Sequence, residues 1–387
     1  MIKLSQKILD FIDEVKNLND DQIIYLSKKK GFDGSFVLNQ IKNKKVIQKK
    51  VPLWANQNLI YPKSISIEQC SSQATAIYKS KLASGNTFAD LSGGFGVDSF
   101  FISNAFNKSY YCELNKELFD IVSENFNTLK KSIVTIQGDG IEFLKNQNKQ
   151  FDLIYIDPSR RTIQKNRVYK LEDYSPDLTQ HLKQITNNSK LCLIKTSPFL
   201  DIKQVLLKLK FVREVHVISK NNDCKEVLYL LDKKYNGKTN VYTVDLARNE
   251  SFSFDFEQEK EKCNVAMPTN YLYEPNAAIL KAGAFQTIGK QFNLNKLEYH
   301  SHLYSSDKKK EDFPGRVFKI KAVCSLNKKE ILPHLTDSKA NITKRNFPLT
   351  TDQIRKKLKL KDGGTDYLFA TTLCNQKKVI VVSEKLK

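Results

Sequence analysis

The chain has 387 residues, 40% of them hydrophobic and 27% charged, a composition that excludes a disordered polymer and a length that exceeds one hydrophobic core. Sixty-three Lys and Arg stand against 42 Asp and Glu, a formal +21 that is lysine-rich, spread along the chain and suited to polyanionic partners, nucleic acid first. No apolar run approaches the ~18 residues of a membrane span, the start lacks a secretory pattern, and seven cysteines include no C-x-x-C pair, so a cytoplasmic protein without a disulfide framework or structural zinc is expected.

Ile8, Phe11, Ile12 and Val15 recur at helical spacing. Asp20 or Asp21 is placed to cap a second helix carrying Ile23, Ile24 and Leu26, and Ser35 to cap a third carrying Val37, Leu38 and Ile41. A helical domain over 1–60 is predicted. Lys28-Lys29-Lys30 and the lysine-rich stretch 42–50 are either solvated helix faces or phosphate contacts. Pro52 then ends helical structure, and Trp54 is expected to fill a domain junction.

From Ser66 the pattern changes to alternating helix and strand. Strands are predicted at 88–91, 109–113, 133–137, 151–157 and 191–195, and helices at 73–82, 97–106 and 116–130. Such alternation specifies a mostly parallel, Rossmann-like α/β sheet over 61–235 with helices on both faces. The apolar runs 215–218 and 226–231 are too close for a helical crossover, so the sheet should end in an antiparallel hairpin. Strands at 241–244 and 251–256, a helix at 275–290 and a polar loop at 305–312 with Lys308, Lys309 and Lys310 make a connecting α+β domain over 236–316. The last segment, 317–387, reads as a compact α+β module: strand 317–323, helix 328–335, strand 340–342, helix 351–358, a turn at Gly363-Gly364, and strands 367–373 and 378–382.

Asp90-Leu91-Ser92-Gly93-Gly94-Phe95-Gly96 falls where the first strand of the sheet turns into a helix. Glycines there let backbone approach a ligand, and amides at a helix start hold an anionic group. A plain tight turn or a dinucleotide site stays open at this point, although Gly94-Phe95-Gly96 runs into Val97-Asp98-Ser99 and does not complete G-x-G-x-x-G. Glu113 closes the second strand, where a carboxylate accepts from both hydroxyls of a ribose. Asp139, followed by Gly140, comes after the third strand and is placed to read an adenine amino group. The fourth strand ends in Asp157-Pro158-Ser159-Arg160-Arg161. Acids after successive parallel strands converge on one crevice at the carboxyl edge of the sheet.

In order and interval these elements resemble the class I S-adenosylmethionine-dependent methyltransferases. Over nearly the whole chain the sequence further resembles a bacterial family in which that domain is followed by ferredoxin-like and THUMP-like domains. The residues carrying the match are Glu68-Gln69-Cys70-Ser71-Ser72, Leu91 through Asp98, Asp157-Pro158-Ser159-Arg160-Arg161, Leu171-Glu172-Asp173-Tyr174-Ser175-Pro176, Tyr273-Glu274-Pro275-Asn276-Ala277-Ala278-Ile279 and Gly363-Gly364-Thr365-Asp366-Tyr367. The resemblance implies S-adenosylmethionine held by Asp90, Ser92, Gly93, Gly94, Gly96, Glu113, Asp139 and Gly140. It also implies Asp157 as the group that takes or orients the acceptor's proton, with no metal required, and a structured RNA, transfer or ribosomal, as substrate. Pro158, Arg160 and Arg161 are then substrate contacts, the arginines gripping a phosphate or stacking on a base unless they simply pair with loop acids.

Two departures bear on the chemistry. Ser92 stands where many such enzymes carry a first glycine. Asp-Pro-Ser-Arg is not the Asn/Asp-Pro-Pro-aromatic clamp for an exocyclic amine, so neither adenine N6 nor guanine N2 follows as the target. A pyrimidine carbon-5 mechanism needs a cysteine near the end of the fifth strand, and Lys195-Thr196-Ser197-Pro198 has none; Cys192 lies earlier, within the apolar strand. His300 and His302 lack companions for a metal site. The alternatives are a non-catalytic RNA-binding or assembly protein that retains the shell, and a methyltransferase of proteins or small molecules.

Overall fold

The computed structural model describes residues 4–160 and 170–386, Arg160 by its backbone alone. The chain divides into two units, Met1–Arg213 with Val227–Asn236, and Glu214–Glu226 with Gly237–Lys387.

The first unit begins with helices α1 (Gln6–Val15), α2 (Asp20–Lys29) and α3 (Gly34–Lys50), packed through Phe11, Ile12, Val15, Ile23, Val37 and Ile41. Their caps differ from the expected ones. Asn19 closes a reciprocal capping box with Gln22, and Asp33 accepts from the amides of Ser35 and Phe36. A cap must precede the first turn on extended backbone, which Asn19 and Asp33 provide and Asp20, Asp21 and Ser35 do not. The 42–50 stretch is the second half of α3 rather than a separate segment. Its last residue, Lys50, turns inward and donates to the carbonyls of Ile67 (3.0 Å) and Glu68 (2.6 Å), tying α3 to helix α4 (Ser64–Gln69).

Beyond α3 the helical segment shares a core with the sheet domain. Ile47, Val51 and Trp54 bury against Phe95, Val97, Tyr111, Val122 and Phe126, and the indole meets Phe95 and Phe100 edge-on at 5.6 and 5.3 Å. Gln40 bonds both backbone groups of Tyr61, and Asn125 both backbone groups of Ile60, at 2.8 to 2.9 Å. Buried side-chain amides matched in this way fix the backbone of the connecting segment at Ile60 and Tyr61.

After helix α5 (Gln73–Ser80) the alternation begins, with β1 (Gly85–Asp90), α6 (Val97–Ile102), β2 (Phe106–Glu113), α7 (Lys116–Thr128), β3 (Val134–Gln137), α8 (Gly140–Lys145) and β4 (Phe151–Ile156). A two-stranded ladder, β5 (Ser159–Arg160) and β6 (Tyr174–Ser175), precedes α9 (Leu178–Asn187), β7 (Ser189–Thr196) and α10 (Ile202–Lys208). The chain then enters β8 (Val212–Lys220) and β9 (Asp223–Asp232). Within this unit the strand order is β9-β7-β4-β1-β2-β3. All pairs are parallel except β7 with β9, where Leu191 lies opposite Asp232 and Thr196 opposite Val227. The near-continuous apolar runs of β4 and β9 are those of strands covered on both faces. The chain reverses direction across the sheet between β1 and β4, the place where such folds open a crevice. The helix expected at 97–106 stops at Ile102, because Phe106 already belongs to β2. Helices α8, α9 and α10, not anticipated, each bury only two or three residues toward the sheet.

In the second unit Asn221 and Asn222 (φ 55° and 58°) make the two-residue turn between β8 and β9. There β8 pairs in parallel with β10 (Asn240–Asp245), which pairs antiparallel with β11 (Glu250–Asp255). A seven-stranded sheet follows, built from β12 (Tyr271–Pro275), β13 (Asn295–Lys296), β14 (Tyr304–Ser306), β15 (Gly315–Cys324), β16 (Asn341–Arg345), β17 (Asp366–Thr372) and β18 (Lys378–Lys385) in the order β13-β14-β12-β15-β18-β17-β16. The helix expected over 275–290 is two short ones, α11 (Ala277–Ala282) and α12 (Thr287–Gln291), because Gly283 adopts the left-handed conformation (φ 75°) that ends a helix. Helix α13 (Lys328–Ile331) and helix α14 (Thr351–Leu358) follow; Ile354 and Leu358 of α14 pack with Leu368, Ala370, Ile380 and Val382 on one face of the sheet, and Leu272, Phe318, Phe369 and Val381 pack on the other. Among the described residues no helix is long and apolar enough to cross a membrane.

Trp54 lies in the core that α3, α4, α5, α6 and α7 share with Phe95 of the glycine turn, so Trp54→Ala should cost about 3–5 kcal/mol of stability in urea unfolding. A loss under about 1 kcal/mol would show that the two segments do not share a core.

Candidate active site

The turn after β1 is organised by its own aspartate. Asp90 is buried; its Oδ1 accepts from the amides of Ser92 (2.9 Å) and Gly93 (3.0 Å) and from the Ser92 hydroxyl (3.1 Å), while Oδ2 accepts from the Ser99 hydroxyl. Burial pushes its carboxyl up to about 7 against these donors. Gly93 (φ 38°) lies so close to β2 that a Cβ would stand 2.5 Å from the Cys112 carbonyl, whereas a Cβ on Gly94 would meet only the Ser92 carbonyl at 3.9 Å. The outer side of the turn is therefore open. Gly94 donates to Glu113 Oε2 (2.9 Å), its carbonyl accepts from the Tyr111 hydroxyl (2.6 Å), and the Gly96 amide returns to the Gly93 carbonyl.

This corrects one expectation. The amides of Ser92, Gly93, Gly94 and Gly96 are not held in reserve for an anion; the nearby carboxylates and a carbonyl already take them. A tight turn with two carboxylates beside it satisfies its donors internally.

Glu113, at the end of β2, is partly buried and its carboxyl is raised by burial against the amides of Asn115 (2.7 Å) and Gly94. Each of its oxygens accepts one backbone N–H and keeps a second lone pair. The next residue, Leu114, is 67% exposed. Asp139 caps α8 through Oδ1, which accepts from Ile141 (2.6 Å) and Glu142 (3.2 Å). Its second oxygen takes no hydrogen bond among the described residues, and the residue is exposed. Gly140 is buried against the β1 turn, where a Cβ would come within 2.4 Å of the Leu91 carbonyl, so the close packing there requires a glycine.

At the end of β4, the Asp157 amide donates to the Ser92 hydroxyl (2.7 Å), so the serine that replaces a glycine bridges Asp90 to the fourth strand. The Asp157 side chain is partly exposed, and its Oδ2 is 2.5 Å from Nζ of Lys195, which lies at the end of β7. Pro158 is buried. Arg160 pairs through its backbone with Tyr174, and Arg161 lies outside the described residues.

Sequence reasoning missed the charged network beneath this edge. Asp98, on α6, faces buried Lys79 at 3.0 Å and accepts from the hydroxyls of Ser71 and Tyr155, both at 2.7 Å. Burial opposes its ionisation, yet Lys79 and Lys195 together hold its carboxyl below the usual range. Ser71 belongs to the Glu68–Ser72 motif, so that motif anchors the first turn of α6. The signal for Lys195 was a charged residue closing the apolar run Leu191 to Ile194. Cys192 is buried and its thiol is raised by burial, as is that of Cys70, pushed up to about 11; neither is an activated nucleophile. Among the described residues no three His, Cys, Asp or Glu are grouped to hold a metal.

The edge thus offers an open glycine turn, two carboxylates with spare lone pairs, an exposed leucine and an acid–lysine pair, all on adjacent strand ends of one unit. Residues 271–314 match the model of a ferredoxin-like domain, and 315–385 that of a THUMP-like domain. A crystal structure of a candidate methyltransferase from Porphyromonas gingivalis W83 superposes over 100% of both chains with a TM-score of 0.88 at 29% identity. Two curated proteins from strains of Mycobacterium tuberculosis, each named an uncharacterized S-adenosylmethionine-dependent methyltransferase, are 25% identical over 211 residues. That match spans 54% of this chain and 57% of theirs.

A carboxyl whose value rises from 3.8 to about 7 on folding binds its proton more tightly in the folded state. The stability it contributes is therefore complete below about pH 4 and is lost as pH rises through about 7. Stability of the wild type should fall relative to Asp90→Asn across that window, measured by urea unfolding at several pH values. A gap that does not change with pH would refute the buried, raised carboxyl.

Proposed function

We propose that this chain is a cytoplasmic S-adenosylmethionine-dependent methyltransferase that modifies a base of a structured RNA. One observation carries the reading: the glycine turn, Glu113, Asp139 and Asp157 close four neighbouring strands, β1, β2, β3 and β4, at the same edge. The residues fit the cofactor. Glu113 has a lone pair on each oxygen that would serve the two ribose hydroxyls, the second oxygen of Asp139 would accept from the adenine amino group, exposed Leu114 would pack on the adenine ring, and Gly94 leaves room beside the turn. When bound, S-adenosylmethionine supplies a methyl group on a sulfonium. Seven free thiols suit a reducing compartment.

RNA is favoured by where the charge lies. The excess is not spread evenly as composition suggested: residues 315–385 hold sixteen Lys and Arg against six Asp and Glu, while 237–314 hold ten against eleven. Within that basic module Lys344, Asn346, Phe347, Pro348, Thr372 and Lys378 line a cleft of about 400 Å³. Neither lysine has an acidic partner among the described residues, which is the electrostatic profile of a phosphate site. A protein or small-molecule acceptor would leave this module without a role, and a decayed shell would not need to keep Glu113, Asp139 and Asp157 together.

Calorimetric titration with S-adenosylmethionine should give saturable heat, and Glu113→Gln should weaken binding roughly ten- to a hundredfold without unfolding the protein; absence of heat from the wild type would sink the cofactor assignment. Affinity for a transfer-RNA transcript should fall steeply with salt, and the double variant Lys344→Gln, Lys378→Gln should reduce the slope of log K against log salt by roughly 2. RNA binding that ignores salt between low and moderate concentrations would overturn the substrate class.

A further inference from the structure

The end of β7 sets an ammonium directly against the acid expected to face the methyl acceptor. Lys195 Nζ lies 2.5 Å from Asp157 Oδ2, and the lysine side chain is 13% exposed while that of the aspartate is 39% exposed. The charge of Lys195 also acts on Asp98, helping to hold that buried carboxyl below the usual range. Asp157 Oδ1 takes no hydrogen bond among the described residues. A substrate at this edge therefore meets an open carboxylate oxygen with a fixed positive charge next to it.

Only some base edges gain from that combination. In a lactam, the ring N–H and the neighbouring C=O are conjugated, so removing the proton places negative charge on the carbonyl oxygen. A cation beside that oxygen stabilises the charge as it develops. An exocyclic amine behaves in the opposite way. In adenine or cytosine a cation beside the ring nitrogen draws electron density from the amino group and makes it a poorer nucleophile. A clamp for such an amine needs two acceptors, and here a lysine neutralises one of them.

Resting on the methyltransferase reading above, we propose that Asp157 and Lys195 together read the ring lactam edge of guanine or uracil, making the ring nitrogen, N1 of guanine or N3 of uracil, the methylated atom. Asp157 Oδ1 accepts the ring N–H and Lys195 faces the adjoining carbonyl oxygen. On transfer the N–C bond forms from the nitrogen's electron pair, the S–C bond breaks with its pair retained on sulfur, and the ring proton passes to Asp157. Lys195 acts on the acceptor and not on the cofactor.

Binding to the full-length protein without cofactor gives the first test, by calorimetry or ligand-observed NMR with mononucleotides. GMP or UMP should bind at least about tenfold more tightly than its ring-N-methylated form and than AMP or CMP, a difference expected of one good two-point base contact. Lys195→Gln should erase that preference in a protein that remains folded by circular dichroism, and Lys195→Arg should restore most of it. Equal binding of AMP and GMP, or a preference untouched by Lys195→Gln, overturns the assignment. The second test treats total RNA from cells lacking the gene with wild-type enzyme and labelled S-adenosylmethionine, then identifies the labelled nucleoside by mass spectrometry. N1-methylguanosine or N3-methyluridine supports the proposal. Label in an exocyclic amine, a ribose oxygen or a pyrimidine carbon refutes it while leaving an RNA methyltransferase in place. No label in any RNA refutes the functional reading itself, and the base assignment with it.

Discussion

The buried Asp90 carboxylate is the constraint on which the candidate site depends. One side chain with no access to water gathers two amides of the glycine turn and the hydroxyls of Ser92 and Ser99, and so sets the path of the chain from β1 into α6. Because that group is buried, each donor is needed to offset the cost of placing an acid there. The turn is consequently specified by hydrogen bonding as well as by its glycines.

Ser92 extends this control across the sheet. Its hydroxyl donates to Asp90 and accepts from the amide of Asp157, so the ends of β1 and β4 are held in fixed register at the point where the strand order reverses. A glycine at position 92 would leave that link unmade. Below it, Asp98, Lys79, Ser71 and Tyr155 form a charged network, and Ser71 connects the network to the segment that Lys50 anchors from α3. The amino-terminal helices thus reach the site through two cations and a short motif. A buried pair of this kind is costly to break on one side only, which ties the geometry of the edge to the integrity of the whole first unit.

The second unit separates two electrostatic characters. In its seven-stranded sheet, Glu274 is buried and paired with Arg316 and Arg345, so these charges are consumed internally. Lys344 and Lys378, at the same end of that sheet on the two strands that flank β17, are exposed to solvent. Cations of one sign that are not neutralised by the fold create the field that attracts a polyanion, and net charge alone does not tell which lysines those are.

The alternation of strands and helices, the antiparallel end of the sheet, the helical start and the α+β character of the last segment were legible in the sequence, because hydrophobic period and turn residues are local properties. So was the order of glycine turn, Glu113, Asp139 and Asp157, since residues at the carboxyl ends of successive parallel strands must share an edge. Helix caps shifted by one or two residues, and the 275–290 helix divided at Gly283, because backbone conformation at a single residue decides a boundary that periodicity cannot resolve. Only the tertiary structure could decide that the turn's amides are already taken, that Gly140 serves packing, that Pro158 is buried, and that Lys195 meets Asp157. Each of those outcomes is a contact between residues separated along the chain, and such contacts are fixed by three-dimensional packing and burial rather than by any local pattern.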